Sequence, residues 1–494
     1  MATCSSSLSP ARVFWGVTFG ALLVQLAWVL ASPAFRGMDE FDHAFRADSL
    51  VHGELLSRQP AEDGRGELVT VSEELASAAR PVCEWYDYTL PDNCRPVSGE
   101  GTGRVRIASA AADYNPTYYV VAGMVARPFD GTAALMAMRL TTAALVAGLL
   151  GWASALLCRD DHTGGSLLGL GLVVTPVAAF AGGTAAPNAV GMGAGVLLWS
   201  GVVALLRRPE RPPLVAMVVG VAVVANTHTT GVLWLAVTAV ALIALRPLRF
   251  WLDWWWHRPW SRSLALVAAG MAVAAALTWI RWADTNGLNE PIPGQGRPGV
   301  LALLAQQCVW LLQTIAAFPD RTDPAPALAY LLWLVPLIAL FLVARRSTDR
   351  GVARALLVLL VAWVLIPIVL TLISFRSEGF AWQGRYALTL ATGMVLLVAE
   401  AAPHHRRPAW LRGPAPYVML GTAHAVCAVS MAMRTDGQGT SFTAADAIPG
   451  AYALIACLAI GGVLLPVVLL RRSTTDGSGR SAPSLPILEA GARQ

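Results

Sequence analysis

Apolar runs of about 20 residues recur along nearly the whole chain, and a run of that length lets an α-helix cross the hydrocarbon of a bilayer. Inside hydrocarbon a segment must satisfy its own backbone polar groups, so such runs read as membrane-spanning helices. The first extends from Val13 to Ala31. It is longer than a signal-peptide core, and no small-x-small cleavage site precedes the acidic stretch behind it, so it reads as a retained span. Further runs at about 132–158, 166–182, 188–206, 213–227, 230–245, 263–282, 326–344, 352–375, 386–402, 416–432 and 450–470 bring the expected number to twelve. The sequence therefore predicts an all-α membrane protein, a single polytopic domain over residues 1–494 with about 12 transmembrane helices. Charged residues make up 14% of the chain, against about 25% in soluble proteins. That excludes an ordinary cytosolic enzyme, a disordered chain and a nucleic-acid binder.

Arginine placement orients the chain. All 36 basic residues are Arg. With the N-terminus inside, most of the inner loops are Arg-rich: RDDHTGG, RRPERPP, RPLRFWLDWWWHRPWSR, RRSTDRG, HHRRPAWLRG and the tail from RRSTTDG. The short outer loops hold the single arginines Arg321, Arg376, Arg385 and Arg434, as the positive-inside rule requires. The pattern survives only if residues 299–318, GVLALLAQQCVWLLQTIAAF, do not cross. They read as an interfacial or re-entrant helix on the outer side, with Gln306, Trp310 and Gln313 sharing a face in the interface. Both termini are then cytoplasmic, and residues 472–494 read as a disordered cytoplasmic tail.

Fifteen of the 31 acids lie between Asp39 and Asp113, which marks residues 32–131 as a large first extracytoplasmic loop. Its opening, GMDEFDHAFRADSLVHGEL, predicts an amphipathic helix lying on the membrane surface, its polar face outward or toward a cavity. Asp39, Asp42, His43 and Arg46 share one face, and Phe41, Ala44, Phe45, Val51 and Leu55 cover the other; Asp48 breaks the pattern. Residues 58–112 are weakly patterned and read as a small insertion or a mobile stretch. A second amphipathic stretch, YNPTYYVVAGMVARPF, follows. Cys83 and Cys94 share the polar segment CEWYDYTLPDNC, and in an oxidising compartment they would pair; otherwise they are two free thiols. No cysteine or histidine cluster has zinc spacing.

Few residues here could carry chemistry. Asp39 and Glu40 stand just beyond the first span. A carboxylate there could deprotonate an acceptor hydroxyl, or hold a divalent cation (Mg or Mn) that neutralises a phosphate leaving group. The plain alternative is a helix N-terminal charge favoured by the macrodipole. His43, one turn on, could orient the carboxylate, bind phosphate or complete a metal site with Asp39 and Glu40; Arg46 continues the face and reads with His43 as substrate-binding, with a surface pair to His43 or Asp42 as its plain alternative. The second cluster is RSEGFAWQGRYA, residues 376–387. Arg385 offers the planar fork of donors that suits phosphate. Trp382 and Tyr386 beside it fit an interfacial belt or a platform for a sugar ring, with Gln383 between them. Arg139, inside the second span, reads as structural or site-lining, since an ion there is costly when it faces lipid. His424 reads as a hydrogen-bonded core residue rather than a proton relay.

The order of these motifs carries a resemblance. One span is followed by D-E-x-x-H, YNPTYY, a span with MAMRL, AAPNAVGMGAGVLLW, the hairpin ANTHTTGVLWLAV, QTIAAFPDRTDPAPALAYLLW and WQGRYALTL. Over about residues 12–402 the chain resembles a family of bacterial polytopic membrane proteins named only as a domain of unknown function. That family looks related to the GT-C superfamily of polyprenyl-phosphate-sugar glycosyltransferases. The resemblance implies a multi-span helical fold in the bacterial cytoplasmic membrane with its site on the outer face. It implies a lipid-phosphate sugar donor, an envelope glycan or glycolipid acceptor, and membrane lipids as surroundings. Asp39 would be the catalytic base, Glu40 and His43 its neighbours, and Arg385 the donor-phosphate ligand. The family usually reads D-E-P-x-H, and here Phe41 stands in place of the proline. Two other functions stay open: a transporter or flippase of lipid-linked saccharides, and a noncatalytic envelope-assembly protein.

Overall fold

A computed structural model describes residues 9–86, 89–99, 103–159, 165–256, 259–285, 296–320, 323–435 and 448–475. Its helices in chain order are α1 (Pro10–Ala31), α2 (Glu40–Val51), α3 (Glu73–Cys83), α4 (Pro91–Cys94), α5 (Pro116–Ala126), α6 (Gly131–Arg159), α7 (Ser166–Val173), α8 (Pro176–Gly182), α9 (Pro187–Arg207) and α10 (Arg211–Thr227). They continue with α11 (Gly231–Leu245), α12 (Leu248–Trp256), α13 (Pro259–Ala283), α14 (Val300–Ile315), α15 (Ala327–Ala344), α16 (Arg350–Glu378), α17 (Leu388–Ala401), α18 (Ala409–Arg412), α19 (Ala415–Thr435) and α20 (Ala451–Thr475). Most of the expected tail, from residue 476, lies outside the described residues.

Among the described residues, eight helices are long and apolar enough to cross a membrane: α1, α6, α9, α13, α15, α16, α19 and α20. The pair α11–α12, bent by 94°, would make a ninth. The run at 166–182 is not one helix. Thr175 accepts a hydrogen bond from the Ala178 amide and Pro176 occupies the first position of α8, so the apolar run is cut into α7 and α8. The run at 386–402 likewise begins with a 3-10 turn, Gly384–Ala387, before α17.

The first outer loop departs from the all-α expectation. Residues 58–112 are not an unpatterned stretch but hold a three-stranded antiparallel sheet, with β1 (Glu67–Ser72), β2 (Ser98–Gly99) and β3 (Arg104–Ser109) in the order β1-β3-β2. Val69 lies opposite Ile107 and Val71 opposite Val105, and these four side chains are buried. Ser72 ends β1 and caps α3 by accepting from the Leu75 amide. A disulfide joins Cys83 at the end of α3 to Cys94 of α4.

This small subdomain covers α2, which is therefore not a helix with a solvated polar face. Phe41, Ala44 and Phe45 pack into the core, and Glu40, Asp42, His43 and Arg46 are buried as well. The polar side meets hydrogen-bond partners instead of water: Asp42 accepts from the Ala110 amide at 2.7 Å, and Asp48 from the Ser72 amide at 2.8 Å. Asp48, the exception to the amphipathic pattern, faces the sheet and also lies 3.6 Å from Arg104. On the other side α5 crosses so closely that a Cβ at Gly123 would come within 2.4 Å of the Ala47 carbonyl oxygen.

Helix α14 inverts the expected arrangement. Its apolar residues Leu301 and Leu304 are exposed, whereas Trp310 and Gln313 are buried against the chain. Its 16 residues reach about 24 Å, short of the roughly 30 Å of bilayer hydrocarbon. Cysteines placed at Arg297 and Asp323, in a background lacking the exposed Cys308 and Cys457, should label from the same side of the membrane. Labelling from opposite sides would mean that α14 crosses.

Candidate functional site

The site is built from two places far apart in sequence. The first is the start of α2. Asp39, the residue before the helix, has φ 57° and ψ 18°, a left-handed conformation uncommon for a residue other than glycine. Such strain persists only where the surroundings enforce it. Here the enforcement comes from Glu40, whose carboxylate is fully engaged. Arg139 of α6 donates to it from Nε at 2.7 Å and Nη2 at 2.6 Å; the amides of Ala185 and Gly37 donate at 2.9 and 3.1 Å. Arg139 also donates to the carbonyls of Ser32 and Pro33, each at 2.7 Å. One fully buried ion pair thus ties the end of α1, the start of α2, the N-terminal half of α6 and the α8–α9 connection. The adjacent Asp39 carboxylate is half-buried and makes no capping hydrogen bond.

His43 lies one turn after Asp39, its amide donating to the Asp39 carbonyl at 3.1 Å. Its Nδ1 is hydrogen-bonded to the Tyr119 hydroxyl at 2.8 Å. Burial lowers its pKa to about 4, against the pull of Asp39 and with the push of Arg385, so the ring is neutral at neutral pH. His43 therefore feels both the acid of the first outer loop and the guanidinium of the second cluster. Asp42 behaves oppositely: burial and the neighbouring Asp39 raise it to about 7.

The second place is the turn carrying Arg385. Trp310 of α14 donates from Nε1 to the Trp382 carbonyl at 3.0 Å, and Gln313 accepts from the Gly384 amide at 2.8 Å. The contact is so tight that a Cβ on Gly384 would lie 2.0 Å from the Trp310 carbonyl oxygen, so only glycine fits. The polar face of α14 is thus a clamp for this turn, not a membrane-interface stripe. Trp382 packs edge-on to Trp234 and Tyr386, at centroid distances of 6.0 and 5.4 Å, and Gln383 is buried beside it. Arg385 is 8% exposed. Its Nε has no hydrogen-bond partner, and among the described residues no carboxylate pairs with it. A buried, uncompensated cation is costly, which leaves this guanidinium suited to an anion brought from outside.

Other residues complete the cluster without having been singled out in the sequence. His228, after α10, stacks on Tyr386 with centroids 5.0 Å apart and feels both Arg385 and His43. Tyr114 lies 5.9 Å from His43, and its hydroxyl is pushed up by desolvation, then by Tyr386 and Asp39. His228 was visible in the motif ANTHTTG, but nothing in a hairpin connection distinguishes a ligand from a turn residue.

Some expected roles change. Arg46 pairs with neither His43 nor Asp42; its guanidinium donates to the carbonyls of Glu54, Leu55 and Tyr114 and ties the loop together. Asp39, Glu40 and His43 do not form a metal site, because Glu40 is turned to Arg139, and among the described residues no three His, Cys, Asp or Glu side chains converge on a cation position. His424 is a core residue, its Nε2 donating to the Val174 carbonyl at 3.1 Å and its ring lying edge-on to Trp333.

A family model described as "Predicted membrane protein (DUF2142)" matches residues 22–394, an interval that holds both halves of the site. The chain belongs to this family. It is accordingly a multi-pass membrane protein. Among solved structures, ArnT from Cupriavidus metallidurans in the apo state aligns with a TM-score of 0.39 and 13% identity, over 85% of this chain and 74% of that one. The same protein bound to undecaprenyl phosphate aligns with a TM-score of 0.37 and 12% identity, over 88% and 75%. No curated protein matches the sequence.

The Glu40–Arg139 pair gives a stability prediction. Glu40→Gln leaves a buried guanidinium without its counter-charge and should cost about 3–5 kcal/mol. The double variant Glu40→Gln/Arg139→Met should recover part of the loss. Thermal unfolding in detergent is the measurement, and equal unfolding temperatures for Glu40→Gln and wild type would refute the assignment.

Proposed function

We propose that this chain is a GT-C-like membrane glycosyltransferase that moves a sugar from a polyprenyl-phosphate donor to a hydroxyl of an envelope glycan or glycolipid. One observation carries the reading: an unbroken row of side chains joins the two clusters, since His43, one turn after Asp39, lies against Tyr114, Tyr114 and His228 line one cavity, and His228 and Arg385 line the next. An inverting transfer needs Asp39 and Arg385 on opposite sides of the reacting carbon. Asp39 takes the proton of the acceptor hydroxyl as its oxygen attacks the anomeric carbon. The bond from that carbon to the phosphate oxygen breaks, and its electron pair leaves on the polyprenyl phosphate. Arg385 neutralises the developing charge with its planar donor fork. His43, being neutral, contributes hydrogen bonding rather than charge. Trp382, Gln383 and Tyr386 lie on the donor side, where aromatic rings suit a sugar face.

In this reading Glu40 is a positioning residue, since its oxygens are already engaged by Arg139 and by the amides of Gly37 and Ala185. Asp39, Glu40 and His43 do not fit a divalent-cation site, because Glu40 is turned to Arg139 and among the described residues no three such side chains converge. The reading places the chain in the bacterial cytoplasmic membrane with twelve spans, both termini inside, and the site at the outer face where membrane lipids deliver the donor.

Asp39→Asn should lower sugar transfer by about 10²–10⁴-fold. Expression and insertion should be kept, because Asn tolerates the left-handed backbone that Asp39 adopts. Arg385→Lys should also reduce transfer, since it keeps the charge and loses the fork. The assay is transfer of labelled sugar from a polyprenyl-phosphate donor in detergent. Wild-type transfer by Asp39→Asn would remove the base assignment.

A further inference from the structure

One side chain of the cluster has no part in the reaction above. The Nδ1 of His228 lies 3.2 Å from the Thr230 amide nitrogen and 2.8 Å from its hydroxyl. An amide N–H can only donate, so Nδ1 accepts. Desolvation and the nearby Arg385 lower the ring to about 4, which keeps it neutral. A neutral imidazole accepting at Nδ1 carries its proton on Nε2. The local turn therefore fixes the tautomer and makes Nε2–H a donor.

His228 is part of a cavity wall. With Arg385, Tyr386, Asn188, Thr227 and Thr389 it lines the polar side of one small cavity whose other side is apolar (Met192, Val224, Trp234), and no acid is among the lining residues. Helix α9 starts there, since Asn188 and Gly191 of its first turns contribute to the wall, and a helix N-terminus favours negative charge. Arg385 enters the same cavity as a nine-tenths-buried cation whose Nε has no partner. A guanidinium, a positive helix end and a neutral N–H donor do not suit a cation or an apolar group. They suit a compact oxyanion with several acceptor oxygens.

We propose that His228 is a phosphoryl ligand, donating from Nε2 to one phosphate oxygen while Arg385 neutralises the group. This rests on the transferase reading for the lipid-linked source; a free phosphate would present the same chemistry. The Tyr386 ring, stacked on His228 and adjoining Arg385 in sequence, holds the two donors in a fixed relation.

The test uses purified full-length protein in detergent, with undecaprenyl phosphate and inorganic phosphate as probes and native mass spectrometry or competition as the readout. His228→Phe keeps a flat ring against Tyr386 and loses the donor; it should weaken undecaprenyl phosphate binding about tenfold, the worth of one hydrogen bond to a charged group. His228→Gln, whose terminal amide can stand where Nε2–H stands, should bind nearly as wild type does. Unfolding temperatures confirm that each variant is folded, with His228→Ala replacing the Phe variant if that one is not. Binding that follows this order for the lipid probe assigns the site to a lipid phosphate, and the same order for inorganic phosphate alone assigns it to the free ion. Unchanged binding in His228→Phe, or equal loss in the Phe and Gln variants, overturns the proposal. If that happens while the wild type still transfers sugar, the transferase reading stands without it. A wild type that binds neither probe overturns both.

Discussion

The ion pair between Glu40 and Arg139 is the constraint on which the site half of the molecule depends. An arginine inside a membrane helix is tolerated only when its charge is met and its donors are satisfied. Arg139 meets both conditions with two carbonyls from the short link between α1 and α2 and the carboxylate of the first residue of α2. The cost of burying the charge is thereby tied to one path of the chain at that link. Because Glu40 also accepts from the Gly37 and Ala185 amides, the link cannot shift without leaving several buried polar groups unpaired. The position of α2, and with it of Asp39 and His43, follows.

The same types of group meet opposite fates a short distance away. Glu40 is closed by an arginine, whereas Asp39 is not capped; Arg139 is closed by a carboxylate, whereas Arg385 has none. What keeps Asp39 and Arg385 from forming a second pair is architecture. Asp39 is held by the α2 anchor, and Arg385 by the clamp of Trp310 and Gln313 on the Trp382–Gly384 turn. Buried His43 is close enough to feel both. An acid without a capping hydrogen bond and a buried arginine without a carboxylate, each on its own rigid support, stay available to a substrate. That is the kind of preorganised polarity that can act on a substrate.

The large-scale organisation was legible because hydropathy is a property of composition over about 20 residues, which single side chains barely disturb. The failures came where one residue overrode its window. Thr175 and Pro176 divide an apolar run that hydropathy reads as continuous. The six-residue strands β1 and β3 are too short to show their alternation, although Val69, Val71, Val105 and Ile107 form the core of the outer subdomain. The polar face of α2 was legible as a face, but whether it met water or an interior stayed open. Asp42 and Asp48 would occupy the same positions whether they met water or amides, so periodicity cannot tell a surface from an internal polar interface. For the site, only the family resemblance separated Asp39 from Glu40, because the group that separates them physically, Arg139, sits in another helix.

The replacement of proline by Phe41 in the D-E-x-x-H motif has a structural counterpart. A proline there would lie in the first turn of α2, where its missing N–H costs nothing and its fixed φ helps start the helix. Phe41 gives up that local restriction. It is instead 1% exposed, with its ring 6.2 Å from Phe45 and 6.3 Å from Tyr86. Tyr86 in turn donates to the Arg36 carbonyl, just before the motif. The helix start is thus fixed from outside, by packing against the Cys83–Cys94 segment, rather than from within by a ring closure. This makes the outer subdomain a working part of the site and not an ornament on it. Its aromatic contact with Phe41 adds to the hold that the Glu40–Arg139 pair already exerts on the start of α2, and a left-handed backbone at Asp39 persists only where such supports enforce it.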